Sequence, residues 1–140
     1  MKVNRSDFER VEEYDEFPDL SWLETDYHFG NDGELVIEES CRYSQDDVGE
    51  YGTRQVLTWI EEDHNRLARY GTHWWMIGIR ARIKLEIPMG DHWINHTVET
   101  PGLWGIESDS GEDYFEEVFC NECQVLERML EKMGIEVVES

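Results

Sequence analysis

A chain of 140 residues with 39% hydrophobic content and six Trp is long enough to bury a core and too apolar for a disordered acidic tail. Its 33 acids against 12 Lys and Arg give a net charge of −21, which repels nucleic acid and membranes and attracts basic surfaces. No apolar run reaches membrane-spanning length, the N-terminal MKVNRSDFER has no signal-like apolar segment, and three irregularly spaced Cys suit a reducing cytosol. These features predict one cytoplasmic domain over residues 1–140.

Residues 1–26 form a helix or irregular arm packed on the core. Phe8, Val11 and Tyr14 follow a helical step, Pro18 ends it, and Phe17, Leu20, Trp22 and Leu23 supply apolar anchors. Residues 27–40 predict a hairpin or strand, with GNDG as the turn and β-branched residues in ELVIEE. SQDDVGEYG over 44–52 is a polar loop punctuated by Gly. Thr53 is the N-cap of a helix through Tyr70, with Val56, Leu57, Ile60, His64 and Leu67 on one face and Gly71 as the stop.

Residues 74–87 are the strongest strand. Trp75, Ile77, Ile79, Ala81, Ile83, Leu85 and Ile87 alternate with an amphipathic set that includes Arg80, Arg82 and Lys84. PMGD turns the chain, and 93–100 with 103–106 return antiparallel. Over 111–133 a second long helix carries Phe115, Val118, Phe119, Val125, Leu126, Met129, Leu130 and Met133 in one stripe. Gly134 and Ile135 close it as a Schellman motif. Helices on one face of an antiparallel sheet make the fold class α+β.

PGLWGIESDSGEDY, residues 101–114, moves from apolar to acidic within one turn. Ser108, Asp109 and Ser110 sit where a helix needs acceptors, and Glu112 and Asp113 complement its dipole, so the stretch is a capping joint. Its spacing does not fit an EF-hand: a loop beginning at Asp109 has Gly third, not sixth. Cys120 and Cys123 lie inside the helix, where no N-terminal dipole activates a thiol, and border its packed face. His92 and His96 lie on a hairpin as ordinary half-exposed histidines, and His64 is a satisfied core histidine. Glu122 falls at the centre of the apolar stripe and needs a partner, which Arg80 or Arg82 could supply as a buried structural pair. No nucleophile with a placed base, phosphate loop or dinucleotide fingerprint occurs, so no catalytic residue, metal site or cofactor is expected.

The outer face of the 111–133 helix carries Glu112, Asp113, Glu116, Glu117, Glu127 and Glu131. The arm adds Asp7, Glu9, Glu12, Glu13, Asp15, Glu16 and Asp19. Two such ridges could imitate the phosphate rails of a duplex. A solubilising surface, or adaptation to high salt with only three Lys in the chain, accounts for the same charge.

PDLSWLE, ESCRYSQDD, WWMIGIRARI and PGLWGIESDSGEDY resemble, in that order, stretches of small acidic proteins from bacteriophages and bacterial mobile elements. The resemblance covers most of residues 17–134 and carries over no catalytic residue. It implies the cytoplasm of a bacterial host. By class-level analogy it also implies an inhibitor of host defence, of the anti-CRISPR or anti-restriction kind. The expected function is therefore a binding protein that blocks the basic surface of a CRISPR effector or restriction enzyme, without binding nucleic acid or membrane. The alternative is a small metal-binding protein or accessory enzyme with carboxylates around Glu107, Asp109, Asp113 and Glu122.

Overall fold

The computed structural model describes residues 1–139, and in it the period-two run is a strand and the long apolar stripe a helix. In chain order the strands and helices are β1 (Lys2–Asn4), β2 (Glu9–Tyr14), β3 (Asp26–Phe29), β4 (Leu35–Glu39), α1 (Gln45–Tyr51), α2 (Thr53–Ala68), β5 (Met76–Met89), β6 (His92–Glu99), β7 (Leu103–Glu107), α3 (Glu112–Lys132) and β8 (Glu136–Val138). Short 3-10 turns occupy Arg5–Asp7 and Ser21–Leu23. The fold class is α+β, as the sequence predicts. The chain divides into two compact units: Met1–Glu16 with Trp75–Ser140, and Phe17–Trp74.

The first unit is built around β5. Ile77, Ile79, Ala81, Ile83 and Leu85 are all at most 7% exposed, because α3 covers the face to which alternate side chains point. Phe115 and Val118 pack near the start of β5; Cys123, Leu126 and Leu130 pack further along it. β6 pairs antiparallel with the second half of β5 across the Gly90 turn, where φ is +63°, and β7 pairs with the first half. The Schellman motif forms as expected. Gly134 N–H donates to Glu131 O at 3.0 Å and Ile135 N–H to Leu130 O at 2.9 Å, folding Ile135 into the core. Met133 is the helix cap and is 48% exposed, so it leaves the expected stripe.

The N-terminal arm is not helical. Residues Glu9–Tyr14 form β2, paired antiparallel with β5 from Glu9 opposite Arg82 to Tyr14 opposite Ile77. An available sheet edge outweighs the three-residue step Phe8, Val11, Tyr14, of which only Phe8 is buried. β1 turns away and pairs parallel with β8, a short strand that the sequence did not announce.

In the second unit, β3 and β4 form the expected hairpin, and α2 packs Val56 and Ile60 against Leu35 and Val48. The polar stretch 44–52 is a helix, not a loop. Ser44 and Asp47 close a capping box in which the Asp47 carboxylate accepts the Ser44 N–H at 2.9 Å, and Val48 is buried. Gly52, at φ +90°, takes the N-cap of α2 in place of Thr53 and lets two helices meet end to end in sequence.

Candidate protein-binding surface

The acidic face of α3 begins at the joint 101–114, and the structure alters how that joint works. Ser108 does not cap α3. Its hydroxyl accepts the Trp75 N–H at 2.8 Å, and its own N–H donates to Trp75 O at 2.7 Å, which extends the β5–β7 pairing. Ser110 spends its hydroxyl on Glu107 O at 2.7 Å, and Gly111, at φ +98°, is the N-cap. Glu112 and Asp113 do occupy the first turn, where carboxylates complement the free N–H groups. The apolar half of the stretch is positioned by Gly78: a Cβ there would collide with the Trp104 ring. The Trp104 Nε1–H is bonded to Pro101 O at 3.0 Å, and the Arg80 guanidinium lies 5.3 Å from the ring centroid.

The six ridge acids separate into two groups. Arg10 of β2 reaches α3 and donates to Glu112 Oε1 and Glu116 Oε1, both at 2.6 Å, while its Nε lies 3.2 Å from Glu12. Arg5 donates to Glu127 at 3.1 Å and to Glu139 at 3.2 Å. Glu112, Glu116 and Glu127 are thus tied to arginines along one flank of the helix. Asp113, Glu117 and Glu131 are exposed and have no ion-pair partner among the described residues. At 100° per residue these three lie within about 40° of one another, on a line that points away from the core. Arg5 and Arg10 were missed from sequence because an arm expected to be helical gives no cross-strand register from which to place them.

The expected pair between Glu122 and Arg80 or Arg82 does not form. Glu122 is half-buried and accepts the Thr100 hydroxyl at 2.7 Å. Thr100 is 1% exposed, and its Oγ1 also accepts the Ala81 N–H at 3.0 Å, so one hydroxyl links helix, strand and loop. The pleat explains the correction: Arg80 and Arg82 occupy the face of β5 opposite to α3. There Arg80 pairs with Glu99 at 3.0 Å and Glu13 at 3.4 Å, and Arg82 with Glu9 at 2.7 Å. The Arg82 hydrogen bond holds the Glu9 carboxyl below the ordinary carboxylate range. Of the arm acids, Glu9 and Glu13 therefore form a ladder with Arg82 and Arg80 across the sheet and Glu12 lies beside Arg10, so these three do not make a second free ridge.

The cysteines are free thiols. Cys123 is buried, and desolvation pushes its pKa up to about 11, which suppresses the reactive thiolate. His64 bonds the Thr25 carbonyl at 3.1 Å and stacks on Tyr27, as a core histidine should. His92 and His96 are exposed on β6. Among the described residues no three His, Cys, Asp or Glu come together as a set that could hold a metal ion, so Glu107, Asp109, Asp113 and Glu122 do not form one.

The second unit holds an acid that the sequence reading missed. Asp63 is 8% exposed and continues the α2 stripe of Val56, Ile60 and Leu67. Its Oδ1 accepts from Arg42 at 2.8 Å, while its buried Oδ2 has no hydrogen-bond partner among the described residues. The Arg42 guanidinium lies 5.4 Å from the Trp22 ring centroid and 5.6 Å from that of Tyr43. Burial, reinforced by the Asp63 charge, pushes the Tyr43 phenol above its ordinary pKa. The signal was present, since residues 56, 60, 63 and 67 share a helical face.

Among the described residues no helix is long and apolar enough to cross a membrane. No protein-family model, curated protein or solved structure matches this chain.

Proposed function

We propose that this chain is a non-catalytic binding protein. The unpaired outer acids of α3 engage a basic, nucleic-acid-binding surface of another protein and so inhibit it. The observation that carries the reading is the line Asp113, Glu117 and Glu131. These carboxylates stand on a rigid helix and face away from the core, while the neighbouring acids are neutralised by Arg5 and Arg10. In a chain of net charge −21 such a line presents fixed negative charge to lysines and arginines that would otherwise meet phosphate. The resemblance of the segment 101–114 to proteins of phages and mobile elements makes a bacterial defence nuclease, a CRISPR effector or a restriction enzyme, the partner to try first, in the host cytoplasm. A carboxylate metal site has no gathered ligand set to support it.

The test is inhibition of a panel of such nucleases at low and high salt, with capture of the partner from a bacterial lysate. Inhibition that weakens as salt rises is the expected result, because screening reduces attraction between exposed charges. If no nuclease is inhibited and no basic protein is captured at low salt, the proposal fails.

A further inference from the structure

A second surface lies at the edge of β5. Alternate residues of a strand send their main-chain groups to opposite edges. Met76 O accepts the Asp15 N–H on the β2 side, whereas Ala81 O accepts the Thr100 N–H on the other. Even-numbered residues of β5 therefore face the β2 edge. β2 begins at Glu9, opposite Arg82, and the 3-10 turn at Arg5–Asp7 carries the preceding chain away. Lys84 and Glu86 then project N–H and C=O past the end of β2, into a groove of about 560 Å³ that both residues line. The other wall of that groove includes β1. Glu136 N–H donates to Met1 O, so Met1 and Val3 turn toward β8 while Lys2 and Asn4 present the free edge of β1.

The groove thus lies between two strand edges that belong to separate sheets. The lining also sets the side-chain pattern. Among the described residues Asp7, Glu86 and Lys84 carry no ion pair, whereas Lys2 is paired with Glu136 at 3.7 Å and Glu9 with Arg82, so the free charge of the lining is two carboxylates against one ammonium. Val3 and Ile87 are half-buried on the rim of the core.

We propose that this groove binds an extended segment of a partner protein by strand addition, the segment alternating apolar and basic residues. Its main chain pairs with Lys84 and Glu86. Its basic side chains meet Asp7 and Glu86, and its apolar ones cover Val3 and Ile87. A second copy of this chain is a poor occupant, because each copy carries −21. The proposal does not rest on the α3 reading, since main-chain pairing, not steering by charge, gives it affinity.

Amide hydrogen exchange on the full chain tests it, with a capped six-residue peptide of alternating Lys and Val as the probe. With peptide at ten times its Kd, exchange at the Lys84 and Glu86 amides should slow about tenfold. Of the two peptides N-methylated at alternate residues, the one whose methyl groups fall on the β5 side should lose this protection, because it cannot donate to that edge, while the other register should keep more of it. Lys84→Pro, which removes a groove-facing N–H but none of the bonds to β6, should weaken binding while far-ultraviolet circular dichroism stays unchanged. Equal binding by the N-methylated peptides would overturn strand addition and leave charge alone. Absence of binding, or protection that grows with protein concentration in the absence of peptide, would overturn it as well.

Discussion

Carboxylates serve different ends in the two units. In residues 17–74 one acid, Asp63, is buried on the apolar stripe of α2 and held by a single arginine. In the other unit the acids stay at the surface of α3 and the sheet, where Arg5, Arg10, Arg80 and Arg82 neutralise some and leave a line free. A buried acid must be compensated for the chain to fold, whereas an exposed one contributes little to stability and remains available to a partner. Net charge therefore says little about which acids act; their partners say more.

The largest effect is expected where that contrast is sharpest. Arg42→Ala leaves the Asp63 carboxylate buried without its partner and should cost on the order of 3 kcal/mol, measured by urea denaturation. Asp63→Asn should cost less, because Arg42 is partly exposed and recovers water. If the two variants have equal stability, Asp63 is not the desolvated member.

Glu122→Ala tests the intermediate case. It leaves the buried Thr100 hydroxyl without its acceptor and should cost about 1–2 kcal/mol, with the Thr100→Val, Glu122→Ala double variant less than additive. Additive losses would separate Glu122 from Thr100. At the rim, Arg10→Ala removes ion pairs whose carboxylates are exposed, so the melting curve should register at most about 1 kcal/mol. A larger loss would mean that the flank of α3 is structural in the way that Asp63 is.

Much of the fold was legible because the signals were periodic and local. The alternation over 74–87, of which Met76 onward is β5, the stripe of α3, the GNDG hairpin and the Gly134–Ile135 cap each need only neighbouring residues to be read. The arm misled because Phe8, Val11 and Tyr14 fit a helix, while the sheet edge that makes Glu9–Tyr14 a strand lies more than sixty residues away in sequence. Helix α1 was hidden by its polarity, although Ser44 and Asp47 have capping-box spacing. The six acids of the α3 ridge were visible as a set. Their division was not, because Arg5 arrives from the 3-10 turn after β1 and Arg10 from β2, and only the tertiary structure defines where these lie. The Glu122 partner was misplaced for a related reason: the pleat sends Arg80 and Arg82 to the face away from α3, and the hydroxyl that serves instead comes from the β6–β7 connection.

The central claim is that the outer line of α3 acts and its flank does not. The most direct test compares two triple variants of equal formal charge, D113N/E117Q/E131Q and E112Q/E116Q/E127Q, by the rate of association with an inhibited nuclease at low salt. The outer triple should associate about tenfold more slowly while its stability stays within about 0.5 kcal/mol of the unaltered chain. The flank triple should lose at most about 1 kcal/mol and associate at nearly the original rate. Equal slowing in both would show that only net charge matters, and slowing confined to the flank triple would contradict the assignment outright.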